Sequence, residues 1–160
     1  MHVQKISPFL WFDNQAEEAA KFYVSIFKDS KILNVSRYGE GGPMSKGTAM
    51  SVTLQLEGQE FIALNGGPLF QFSEAISFLV HCETQKEVDY YWNRLSEGGD
   101  EKAQQCGWLK DKYGLSWQII PSILGDLLGD KDAAKASRAM QAMLQMKKLD
   151  IQRLKQAARG

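Results

Sequence analysis

One order of secondary-structure signals runs twice along this chain: a strand, a helix, then three strands. In the first pass, Val3–Phe12 alternates as a strand. Asp13 and Asn14 are natural helix caps, and Ala16, Ala19, Ala20, Tyr23, Ile26 and Phe27 then recur at helical spacing, with Phe22 widening the stripe. Lys31–Tyr38, Thr48–Leu56 and Glu60–Leu64 read as strands, the last two joined by a turn at Glu57-Gly58-Gln59. Asn65-Gly66-Gly67-Pro68 breaks the pattern. The second pass starts with a strand at Ala75–Cys82. Thr84 with Glu87 forms a capping box for a helix that runs to Leu95 and stops at Gly98-Gly99. Short strands follow at Lys102–Trp108, Lys110–Tyr113 and Leu115–Ile120. The halves share order rather than residues, which predicts an α+β fold of two βαβββ modules.

What the modules could do is narrowed by charge and composition. The 160 residues carry a formal net charge of +0 and no basic block, so no nucleic-acid partner is expected. No stretch approaches the roughly 20 apolar residues that span a bilayer, and MHVQKISPFLWF lacks the apolar run and cleavage site of a signal peptide. Cys82 and Cys106 make no disulfide framework; they read as two buried free thiols in a reducing cytoplasm. Reactivity at Cys106 is the alternative, since Gly107 and Lys110 lie near it. The loop GEGGPMSK (39–46) has neither the dinucleotide fingerprint nor the glycine-lysine order of a phosphate loop.

The stretch Cys106–Pro121, CGWLKDKYGLSWQIIP, holds the chain's most informative polar residue. Gln118 sits in the middle of a strand, where an amide is costly unless protein, ligand or water satisfies it. Beyond it, a region rich in Ala, Lys, Met and Gln begins near Lys131. Ala136, Met140, Met143 and Leu144 share a helical face, either covering their own subunit or gripping a second one; a cofactor contact is a third use. Asp150 caps a last helix carrying Ile151 and Leu154.

FIALNGGPLFQFSEAIS (61–77), the run from Val88-Asp89-Tyr90-Tyr91-Trp92 to CGWLKDKYGLSWQIIP, and the tail SRAMQAMLQMKKLDI resemble the PhnB-like branch of the glyoxalase/bleomycin-resistance/dioxygenase group, the vicinal-oxygen-chelate superfamily. That branch is often labelled 3-demethylubiquinone-9 3-methyltransferase. The resemblance implies paired modules (about 1–66 and 75–121) whose sheets curl into a cup, with C-terminal helices over 122–160, assembled as a homodimer. Metal-dependent relatives place ligands at positions that fall here on Ser7, Ala63, Ser77 and Gln118. Ala63 cannot ligate and serines ligate poorly, so no metal site and no cofactor is expected. The resemblance puts Ser7, Phe9 and Trp11, then Phe61, Ala63 and Asn65, then Ser77, Leu79 and His81, and finally Ser116, Gln118 and Ile120 on the cup side. Leu10, Phe12, Ile62, Leu64, Phe78, Val80, Trp117 and Ile119 pack under helices.

The resulting expectation is a metal-independent protein that binds a small aromatic or amphipathic molecule, as resistance-type members do. Ser7, Phe9, Trp11, Asn65, Ser77, His81, Trp108 and Gln118 are its candidate lining. One alternative is an enzyme, either of the methyltransferase or lyase/isomerase kind, with Asp111, Cys106 or His81 as acid, base or nucleophile. Methyl transfer finds little support in the residues, since DNQAEEAA after the first strand has no glycine turn for a nucleotide-bearing cofactor. The other alternative is a structural dimer with no ligand.

Overall fold

The protein is described here by a computed structural model covering residues 4–160. Val3, where the first strand was expected to begin, lies outside the described residues. The chain divides into two compact units, Met1–Phe72 and Ser73–Gly160.

The first unit runs β1 (Phe9–Phe12), α1 (Ala16–Ile26), β2 (Lys31–Arg37), β3 (Ala49–Leu56) and β4 (Gln59–Asn65). Its sheet has the order β1-β4-β3-β2, with β1 and β4 parallel and the other pairs antiparallel. β1 is shorter than the sequence suggested. Pro8 has no N–H to give the ladder, so only its carbonyl joins, accepting from Ile62 N at 3.0 Å. Upstream, the Gln4 amide pairs with both the N–H and the C=O of Glu60, at 3.0 and 2.9 Å. A side chain thus stands in for the missing strand residue.

α1 buries Ala16, Ala19, Ala20, Tyr23 and Ile26 against the sheet, as the spacing predicted. Its cap differs from expectation. Neither Asp13 nor Asn14 caps the helix; its N-cap position is Gln15, with no side-chain bond. The donor at Ala16 N is satisfied instead by Asn65 Oδ1, 2.8 Å away on β4. The same amide donates from Nδ2 to Ala49 O at 2.9 Å. Asn65 is 2% exposed. It is therefore a buried tie between helix and sheet, and it leaves the list of pocket-lining residues.

That correction extends to the whole of β4. The parallel register sets Leu10 beside Ala63 and Phe12 beside Asn65. Leu10, Phe12, Phe61, Ala63 and Asn65 are all buried, so they share the helix side. Ile62 and Leu64 point the other way, with Phe9 and Trp11. The expectation that Phe61, Ala63 and Asn65 face the open side was off by one residue, and a one-residue offset turns a strand over.

The second unit runs β5 (Ser77–Cys82), α2 (Gln85–Ser96), a single 3-10 turn (Glu101–Ala103), β6 (Trp108–Lys110), β7 (Ser116–Pro121), α3 (Ile123–Leu128), α4 (Ala133–Leu144) and α5 (Ile151–Arg159). The sheet order is β5-β7-β6, with β5 and β7 parallel. Thr84 caps α2 through Glu87 N at 3.2 Å, and Glu87 reaches back to Glu83 N. Val88, Tyr91, Trp92 and Leu95 form its buried side.

The two strands expected at Lys102–Trp108 and Lys110–Tyr113 are replaced by one short strand, β6. Cys106 and Gly107 both have positive φ, 40° and 90°, which ends any ladder there. Asp111 ends β6 on the other side. Its Oδ1 accepts from Tyr113 N (2.9 Å) and Leu115 N (3.0 Å), and its Oδ2 accepts from Trp117 Nε1 (2.9 Å).

The C-terminal helices belong to this unit. Leu124, Met146, Leu149 and Leu154 form a buried cluster. Cys106 N and Gly107 N donate to Met146 O and Lys147 O at 2.7 and 2.8 Å. The expected α4 stripe divides: Ala136 is half-buried and Met143 packs on the cluster, whereas Met140 and Leu144 are 40% and 48% exposed, and the buried residue of the helix is Ala139, outside that stripe. Asp150 caps α5 as expected, accepting from Arg153 N at 3.0 Å. Among the described residues, no helix is long and apolar enough to cross a membrane.

Replacing Asn65 by alanine removes two buried hydrogen bonds and strands their partners, Ala16 N and Ala49 O. Urea unfolding of Asn65→Ala should show a loss of about 2–4 kcal/mol. A loss below about 0.5 kcal/mol would contradict the tie described here.

Candidate functional site

Each sheet has one face under its long helix, α1 or α2, and an opposite face that this helix leaves free; at its Ile120 end the second sheet's opposite face packs on the C-terminal cluster. On the first unit's free face the register aligns two rows. Phe9, Ile62, Thr53 and Asn34 form one; Trp11, Leu64, Ser51 and Ser36 form the other. Aromatic and aliphatic groups therefore occupy the β1–β4 half, and hydroxyls and an amide the β3–β2 half. Ser36 Oγ and Ser51 Oγ are hydrogen-bonded at 2.7 Å. Trp11 is held firmly. Its Nε1 donates to Gly67 O at 2.9 Å, and Phe70 meets it edge-on with ring centroids 4.9 Å apart. Gly66 lies against the indole: a Cβ there would come within 2.4 Å of the ring. Ser51 and Thr53 escaped the sequence reading, although Val52, Leu54 and Leu56 alternate with them and mark the buried side. Ser7 precedes β1 and accepts a hydrogen bond from Gln4 Nε2 at 3.1 Å. It is not carried by the strand.

On the second unit's free face, β5, β7 and β6 bring together most of the residues the sequence singled out. Leu79, Gln118 and Trp108 are in one row; Ser77, Ser116 and Lys110 in the next; His81 and Ile120 lie beyond. The question posed by Gln118 is answered in part: its Nε2 donates to Ser77 Oγ at 2.9 Å. Its Oε1 has no protein partner among the described residues, nor does the indole N–H of Trp108. Ser116 is 1% exposed, and its hydroxyl is buried without a hydrogen-bond partner. Lys110 is ion-paired with Glu74, which precedes β5. That pairing holds the Glu74 carboxyl below the usual carboxylate range. The alternation placing Phe78, Trp117 and Ile119 on the helix side holds: Phe78 and Trp117 rings are 5.6 Å apart, and Ile119 is fully buried.

The acid–base and nucleophile candidates are dispersed. Asp111 is on the helix side with its carboxylate engaged by three donors, which suits a turn rather than proton transfer. Burial pushes the Cys82 thiol from 9.0 up to about 12, with Glu87 and Glu83 adding to it, and burial also raises Cys106. Neither is an activated thiolate. His81 is exposed on the free face of β5.

The four positions that the family resemblance marks for a metal do not make a donor set. Ser77 and Gln118 adjoin, but Ser7 is outside the strand and Ala63 faces the helix. One neutral amide oxygen with two hydroxyls is a weak set for a divalent ion. Among the described residues, no group of three or more His, Cys, Asp or Glu is placed to hold a metal.

Sheets of this construction, one strand parallel across a helix and the others antiparallel, define a glyoxalase-like protein of the vicinal-oxygen-chelate superfamily. Residues 4–120 match the 3-demethylubiquinone-9 3-methyltransferase family, and the chain belongs to that family. Among solved structures, a PhnB protein of Bacillus cereus with the same methyltransferase description is 40% identical. The alignment covers 74% of this chain and 100% of that one, with a TM-score of 0.68. Protein PA1353 from Pseudomonas aeruginosa is 17% identical over 74% of this chain and 98% of its own, with a TM-score of 0.59. The fosfomycin resistance protein FosX from Listeria monocytogenes, crystallised with Mn(II) and sulfate, is 15% identical over 76% and 91%, with a TM-score of 0.51. These last two establish likeness of fold alone. No curated protein matches the chain.

Two outcomes follow. The Gly66→Ala protein must displace the Trp11 ring and lose its bond to Gly67; its tryptophan fluorescence should shift relative to the parent. For Cys82, a pKa raised on folding stabilises the native state fully below about 9, and this contribution is lost progressively as pH rises toward about 12. Urea midpoints should therefore fall above about pH 9, and Cys82→Ser should flatten that fall. An unchanged slope in the serine variant would refute the assignment.

Proposed function

We propose that the protein is a metal-independent small-molecule-binding member of its superfamily, taking an aromatic or amphipathic compound on the face of the second unit's sheet that turns away from α2. The observation that carries this reading is the row Leu79–Gln118–Trp108. An apolar side chain lies in it beside an amide oxygen and an indole N–H, neither of which has a partner among the described residues. Apolar walls with a few unpaired polar groups are the usual makeup of a ligand site. The Gln118–Ser77 bond orients the amide without exhausting it. Metal independence rests on the weak donor set, and the protein is proposed to act as a cytoplasmic homodimer. The exposed Met140 and Leu144 support association through α4.

A thermal-shift screen of bicyclic aromatic compounds, with and without Mn(II), Zn(II) and Mg(II), tests the reading. At least one compound should raise the melting temperature without metal. Gln118→Ala should then weaken that compound about tenfold, the worth of one good hydrogen bond, while leaving the melting temperature of the free protein nearly unchanged. Stabilisation by metal alone, or no stabilisation by any compound, would count against it.

A further inference from the structure

The row next to Gln118 holds three groups whose chemistry agrees. Ser77, Ser116 and Lys110 lie side by side across β5, β7 and β6. Lys110 is half-buried and its ammonium is in contact with a carboxylate, that of Glu74, which is itself 62% exposed. The hydroxyl of Ser116 is buried and has no hydrogen-bond partner among the described residues. The Ser77 hydroxyl accepts from Gln118 and keeps its own proton to give.

A buried hydroxyl with no partner costs free energy unless something supplies the missing bond in another state. The row thus carries one cation and two hydroxyls that can each donate, and Glu74 engages the cation. The exposed ion pair is weakly stabilising by itself, because water screens it. A carboxylate from outside can therefore replace Glu74 at little expense and reach the half-buried Ser77, and it gains Ser116 where the side chains over that buried hydroxyl move aside. In the neighbouring row, Trp108 and Leu79 offer a flat apolar surface to whatever bears that carboxylate.

We infer that Lys110, Ser116 and Ser77 form a carboxylate subsite, occupied by Glu74 in the free protein, and that the natural ligand is an aromatic carboxylic acid. This rests on the small-molecule reading above and specifies its ligand class. The exchange involves no covalent step: one carboxylate leaves Lys110 and another takes its place.

Binding of 2-naphthoate and of 2-naphthamide, followed by Trp fluorescence and calorimetry, isolates the charge because the ring is the same. The parent protein should prefer the acid by on the order of tenfold, the worth of a charge-assisted hydrogen bond. Glu74→Gln removes the competitor and should tighten 2-naphthoate several-fold while leaving 2-naphthamide unchanged. Lys110→Met and Lys110→Gln should abolish the preference, with circular dichroism confirming that each is folded. Equal binding of acid and amide, or no gain for 2-naphthoate in Glu74→Gln, overturns the carboxylate subsite and leaves the small-molecule reading standing. Failure of both compounds, together with a blank screen of neutral aromatics, overturns both.

Discussion

The buried carboxylate of Asp111 is the contact on which the second unit's geometry depends. It takes hydrogen bonds from two backbone amides of the β6–β7 turn and from the Trp117 indole. Such a charge is tolerated in the interior only because three donors replace its water. By fixing Trp117 toward the helix side it fixes the parity of β7. Everything two residues apart follows: Ser116, Gln118 and Ile120 are directed away from α2, with Ile120 meeting the C-terminal cluster. The sequence CGWLKDKYGLSWQIIP is thus a hairpin whose turn residue sets the direction of the side chains on β7. Asparagine at 111 would keep an acceptor but lose the charge that matches three donors.

Asn65 performs the corresponding task in the first unit, and comparing the two shows what sequence can and cannot tell. The order of elements was legible from periodicity alone, because α1 and α2 carry clean apolar stripes and the strands alternate. The faces of β5 and β7 were legible too, since Trp117 and Ile119 alternate with Gln118. The face of β4 was not. Phe61-Ile62-Ala63-Leu64 is apolar throughout, so alternation is silent there, and only the register with β1 decides. Asn65 itself looked like a loop or pocket residue; nothing local in the sequence reveals a partner such as Ala16 N, 49 positions away. The merging of two expected strands into β6 came from positive φ at Cys106, a conformation a cysteine rarely adopts.

Family membership and chemistry answer different questions here. The match over residues 4–120 establishes descent and fold, and the family's methyltransferase description comes with it. The site must be argued from its own residues. Those residues supply an apolar floor, an oriented amide and a paired lysine, and they supply no activated thiol. The likeness to FosX, at 15% identity, concerns the scaffold and not the manganese.

β6 is the outer strand of its sheet, and an outer strand presents unpaired backbone groups that can recruit strands from other molecules. The two amides at the Cys106–Gly107 bend are taken by the carbonyls of Met146 and Lys147, just beyond α4. Trp108 itself exchanges both backbone hydrogen bonds with Gln105, so the edge begins already paired, and the C-terminal chain fixes the bend that makes that pairing possible. Without that chain the bend amides would lose their acceptors and the outer strand its paired start.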